Sequence, residues 1–118
     1  GDGPAGVVAL CAAALDERIA HTVTVGSLAS YISDVPYTNQ RLGLMAPNML
    51  REVGDIPHLA TLIAPRRLTI AGAVHGSSKA LTAAELKANF ESTRRFYEGD
   101  SFIALPVGDA EAILRILK

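Results

Sequence analysis

The chain has a single cysteine, Cys11. That excludes an internal disulfide and any multi-cysteine zinc site. Set among alanines in an apolar run, Cys11 reads as a small buried filler. Basic residues are not in excess, with 11 Lys and Arg against 12 Asp and Glu and a formal net charge of −1. Such a balance offers nothing to neutralise a phosphate backbone, so no nucleic-acid partner is expected. No apolar run approaches the roughly 18 residues that a membrane span needs, so no membrane partner is expected either. No charged segment precedes the apolar stretch VVALCAAAL, which argues against a secretory leader there. An initiator methionine is also missing, which leaves open a processed chain, an excised piece or a fragment of something longer. Nothing in it specifies a compartment.

What is present is a globular composition: 49% hydrophobic and 19% charged residues over 118 positions. A single domain over 1–118 of this size buries roughly two thirds of its unfolded surface. Pro4 suits a first helical turn, and the apolar run behind it predicts a largely buried helix over 4–15. HTVTV, residues 21–25, alternates β-branched residues and predicts a strand closed by Gly26. Residues 27–55 are irregular, punctuated by Tyr31, Pro36, Tyr37, Gly43 and Pro47, with a short helix predicted over 47–53. Asp55 is placed to cap the next helix, with Pro57 in its first turn and Pro65 as its stop. RLTIAGAV, residues 67–74, predicts the second strand and HGSSKAL a loop. Thr82-x-x-Glu85 has capping-box spacing and opens a helix to about residue 98. SFIALPV, residues 101–107, predicts the third strand, and a last helix follows Gly108-Asp109. Strands alternating with helices imply a three-layer αβα domain around a short parallel sheet, three strands in order 1-2-3.

The chemistry turns on GDGPAG at residues 1–6. Gly1, Gly3 and Gly6 match G-x-G-x-x-G, the turn that brings backbone amides to a dinucleotide pyrophosphate. That motif also needs an acid near the end of the next strand, and Val25-Gly26-Ser27 has none. Pro4 removes an amide that would face the phosphate. Asp55 and His58 supply two candidate metal ligands and no third. Neither a metal nor a cofactor is expected. Ser77 and Ser78 beside Gly76 read as turn formers.

Three stretches carry a family likeness: VALCAAALDERI, GSLASY after the next strand, and DIPHLATLIAPRRLTIAGAV. Through them nearly the whole chain resembles the C-terminal half of an α/β-hydrolase. The likeness is to the acetyl-xylan esterase, cephalosporin deacetylase and dienelactone-hydrolase-like group. The resemblance implies that the three strands are the last three of the family sheet. It implies that GDGPAG stands at the G-x-S-x-G nucleophile elbow. Gly3 then occupies the serine position, and Pro4 occupies the residue whose amide normally serves the oxyanion hole. His75 stands where the family acid is expected, after the next-to-last strand. Asp109 stands where the family histidine is expected, after the last strand. A His75–Asp109 contact is one expectation; the other is a solvated His75 with Asp109 capping the last helix.

Three functions stay open at this point. One is a carboxylic-ester-hydrolase-like domain without a working Ser-His-Asp triad. Another is an active hydrolase fragment using unorthodox or partner-supplied residues, and the third is a nucleotide-binding domain. The resemblance further implies a small ester or acylated carbohydrate as ligand. A half-fold also leaves the edge of HTVTV and part of VVALCAAAL uncovered, so a homo-oligomer, or docking onto the missing N-terminal half, is expected.

Overall fold

The computed structural model describes residues 1–41 and 47–117. Residues 42–46, including Gly43 of the predicted loop, and Lys118 of the predicted last helix lie outside the described residues. Three strands, β1 (His21–Val25), β2 (Arg67–Ala71) and β3 (Phe102–Leu105), form one parallel sheet in the order β1-β2-β3. The register aligns Thr22, Leu68 and Phe102 across the sheet, and Thr24, Ile70 and Ala104 two residues on. Because side chains alternate along a strand, these six residues share one face.

That face is thickly covered. Helix α1 (Ala5–Leu15) lies against β1, with Gly6, Val7, Leu10 and Ala13 buried. A Cβ on Gly6 would lie 2.4 Å from the Cβ of Ser27, so only glycine allows this approach. The expected burial of α1 is one-sided: Val8 and Leu15 face outward, the latter 88% exposed. Helix α3 (Ile56–Thr61) packs beside α1. Helices α4 (Ala83–Asn89) and α5 (Glu91–Arg94) continue the layer. The predicted single helix over 82–98 is thus broken, at Phe90 (φ −108°, ψ 16°). The break follows tertiary packing, since Phe90 is buried with its ring 5.9 Å from that of Phe102. Tyr97 stacks on the same Phe102 ring at 5.3 Å and donates its hydroxyl hydrogen bond to the Ala60 carbonyl.

The opposite face holds His21, Val23 and Val25, then Thr69 and Ala71, then Ile103 and Leu105. Its cover is α6 (Ala110–Leu117), anchored where Arg67 Nη2 donates to the Ile116 carbonyl at 3.2 Å. Helix α6 buries none of its residues fully. The short helix α2 (Met49–Glu52) sits in the long connection and buries none either.

Both predicted caps form. The Asp55 carboxylate accepts from Ile56 N, and His58 Nδ1 accepts from Asp55 N at 3.0 Å. Asp55 also accepts from Tyr31 N at 2.7 Å and from the Ser30 hydroxyl, which ties GSLASY to α3. Asp55 and His58 are thereby engaged in structure. Strands β2 and β3 are shorter than their apolar runs. A left-handed Gly72 (φ +60°) ends β2, and beyond it Val74 forms only isolated bridges to Leu28 and Ala80.

Candidate functional site

The GDGPAG turn, His75 and Asp109 all lie at the carboxyl ends of the strands. Asp2 pairs in parallel with Val25, the last residue of β1. Val25 N donates to Gly1 O at 2.9 Å and Gly3 N donates to Val25 O at 2.7 Å. Residues 1–3 therefore run along the outer edge of β1 and turn sharply into α1. Gly3 makes the turn at φ +55°, a left-handed conformation that costs an L-residue roughly 1–2 kcal/mol. A Cβ on Gly3 would meet nothing within 4 Å, so the position beyond it is open space. Pro4 follows in helical geometry (φ −58°, ψ −27°).

The first amides of α1 are already paired. Ala5 N donates to Asp2 O, Gly6 N to Gly3 O and Val7 N to Pro4 O. With Pro4 lacking a hydrogen, the turn turns inward on its own carbonyls.

Two further glycines bring the other strand ends together. A Cβ on Gly72 would lie 2.8 Å from Gly108 N, and one on Gly108 would lie 2.9 Å from Val25 Cγ1. The loop after β2 thus crosses beside the loop after β3, next to the end of β1. His75 belongs to the first loop and Asp109 to the second. Their side chains go to other partners. Asp109 Oδ1 accepts from Glu111 N at 3.0 Å, at the start of α6. His75 Nε2 lies 2.9 Å from Glu85 Oε2. No ion pair joins His75 to Asp109. Each side chain has a nearer polar partner: for Asp109 the amide two residues on, for His75 the Glu85 carboxylate that the docking of α4 brings to it.

Glu85 closes two contacts at once. Its Oε1 accepts from Thr82 N at 3.1 Å while Thr82 Oγ1 accepts from Glu85 N at 3.2 Å, the expected capping box. The backbone amide of Thr82, then its hydroxyl, and more weakly His75, hold the Glu85 carboxyl below its ordinary range. His75 and Glu85 line a cleft of ≈ 750 Å³, together with Asp34, Ser30, Ser77 and Asn89. The cleft runs between residues 29–35 and the loop after β2. Thr38 N donates to Gly76 O at 2.8 Å, and Ser78 donates its hydroxyl to the Thr38 carbonyl, so the two walls are stitched together. Gly3, Pro4 and Asp109 are not among the residues that line it.

No family model, curated protein or solved structure matches this chain.

Chemically, the arrangement offers an imidazole held against a carboxylate in an open cleft, and a separate turn with no reactive side chain. Sequence reasoning located His75 and read Glu85 only as a cap. The capping-box spacing was visible; that the second carboxylate oxygen reaches His75 depends on how α4 docks. Asp34 carried no signal of its own.

Proposed function

We propose that this chain is an α/β-hydrolase-type domain of the carboxylic-ester-hydrolase kind that does not perform serine acyl transfer. One observation carries the reading: a left-handed Gly3, hydrogen-bonded to the last residue of a parallel strand and followed by Pro4 at a helix start. Such a turn fits a nucleophile elbow that lacks its hydroxyl and the amide that would stabilise an oxyanion. Losing one oxyanion donor typically costs ~10²–10³ in rate, and losing the nucleophile costs more. The role left to such a domain is to bind a small ester or acylated carbohydrate, or to support a partner. The inward-paired amides of Ala5, Gly6 and Val7 favour this reading over a phosphate cradle.

The test is turnover of p-nitrophenyl acetate with mass spectrometry of the protein. The expected result is no hydrolysis above buffer and no acylated species. Gly3→Ser alone is expected to stay inactive, because Pro4 still withholds its amide and His75 is paired with Glu85. A stoichiometric burst of nitrophenol with an acetylated wild-type chain would overturn the proposal.

A second reading rests on the His75–Glu85 pair. An imidazole oriented by a carboxylate in a cleft can act as general base on water, a contribution of about 10²–10⁴ in rate. Slow ester hydrolysis without a burst, abolished by His75→Ala, would select this reading.

A further inference from the structure

Strand β3 is an edge of the sheet, and among the described residues its outer side pairs with no other strand. Gly72 N donates to Leu105 O at 2.8 Å, which turns the Leu105 carbonyl toward β2. Backbone groups alternate along a strand, so those of Phe102 and Ala104 point outward. Pro106 follows in the same alternation and has no N–H, which ends the usable edge at Ala104. Beside this edge, between α4 and β3, runs a groove of ≈ 500 Å³. Leu86, Phe90, Phe102 and Ala104 give it an apolar floor, Lys87 and Arg94 also line it, and no carboxylate does. Both cations are exposed, and neither forms a salt bridge among the described residues, not even with Glu91 a turn away. The Arg94 guanidinium lies 5.7 Å from the centre of the Phe102 ring, a contact that leaves its N–H groups free for an acceptor.

We propose that this groove docks an extended acidic peptide, which adds as a strand along the outer edge of β3. Two features of the groove combine to select that partner. The β3 residues that line it are the ones whose backbone groups point outward, so a chain lying in the groove is placed to continue the sheet. The unpaired Lys87 and Arg94 then choose among extended chains by charge. Side chains on one face of the added strand recur every second residue. An apolar residue over the aromatic floor, with an acidic residue two positions to either side, therefore puts all three on the groove side. A second copy of this chain is a poor occupant, because pairing β3 with β3 would crowd the cations of both copies along one seam. The cleft at His75 is a poor competitor for the same peptide, since Asp34 and Glu85 line it. The usable edge is short, so the contact is at the small end of specific interfaces and weak.

The proposal is independent of whether the domain is catalytically silent. The probe is acetyl-Glu-Thr-Val-Thr-Glu-amide, titrated into the whole chain up to about 1 mM and followed by amide NMR, a range that suits weak binding. Saturable shifts are expected at Phe102, Ala104 and Lys87, with slower hydrogen exchange at the Ala104 amide. The matching peptide with lysine in place of glutamate should bind tenfold or more weaker, and so should the glutamate peptide with its backbone amides N-methylated. Lys87→Glu should weaken the glutamate peptide by a similar factor and narrow or reverse the preference over the lysine peptide. Its side chain is exposed, so thermal unfolding should stay unchanged; Arg94→Gln gives a second variant with the same expectation. No saturable shift, or equal binding of the two peptides, would overturn the proposal. So would undiminished binding of the N-methylated peptide, which would mean a charge contact without an added strand, or shifts confined to the cleft at His75.

Discussion

The two faces of the sheet are built from the same three strands and have different fates. On one face Thr22, Thr24, Leu68, Ile70 and Phe102 are all buried beneath α1, α3, α4 and α5. On the other, only the central strand's Thr69 and Ala71 are sealed, while Val23, Val25, Ile103 and Leu105 stay half-exposed beside α6. The difference teaches that most of the fully buried side chains belong to one helical layer. The opposite face buries less and is expected to contribute less to holding the monomer together. The carboxyl-edge loops bridge the two, because Gly108 crosses over Val25 to deliver α6 to the thin side.

The largest contrast is expected from truncating one large apolar side chain on each side. Phe90→Ala, in the packed layer, should destabilise by about 3–5 kcal/mol, enough to unfold a marginal domain. Leu114→Ala, on the thin side, should change monomer stability by less than about 0.5 kcal/mol. Urea unfolding of both variants in dilute solution measures the pair. Equal effects would erase the distinction between the faces.

A smaller effect, with a pH signature, is expected at Tyr97. Burial pushes its phenol above the usual range, with Arg66 opposing weakly. The folded state therefore favours the neutral form. Its contribution is complete below the unfolded value near pH ~10 and falls as pH rises from there toward the folded value. Tyr97→Phe should cost about 1 kcal/mol at neutral pH through the lost bond to Ala60. It should also remove part of the alkaline decline; Tyr31, Tyr37 and Cys11, whose groups burial raises too, contribute in the same direction. Chemical unfolding at pH 8 and above pH 10 tests the sign.

The smallest effect sharpens the comparison in the other direction. Thr22 and Thr24 hydroxyls, on the packed face, have no hydrogen-bond partner among the described residues. Thr24→Val keeps the shape and removes a buried unsatisfied oxygen, so it should stabilise by about 0.5–1 kcal/mol. A loss of stability would mean that the hydroxyl is satisfied in solution.

Local chemistry was the legible part. Asp55 before Ile56-Pro57 and Thr82 before Glu85 announced two helix starts, because caps are satisfied within one turn of chain. HTVTV and RLTIA announced strands, because β-branched and apolar residues between turn signals have few other outcomes. Those elements in that order, with right-handed crossovers, leave a parallel 1-2-3 sheet as the simplest solution. The break at Phe90 was not legible, since it answers to the Phe102 ring on a distant strand. The partner of His75 was not legible either. His75 and Glu85 are ten residues apart, and whether they meet depends on the angle at which α4 docks.

By itself, then, the sequence determined the three strands and their order, the two capped helix starts, and the absence of a hydroxyl at Gly3 and an amide hydrogen at Pro4. Those are properties of single residues and of neighbours within a turn. Only the tertiary structure decided which loops converge, which carboxylate His75 meets, and which face of the sheet is left thin. Such choices are made by packing between segments far apart in the chain, where close approach at a few glycines and one buried aromatic cluster outweighs any local preference.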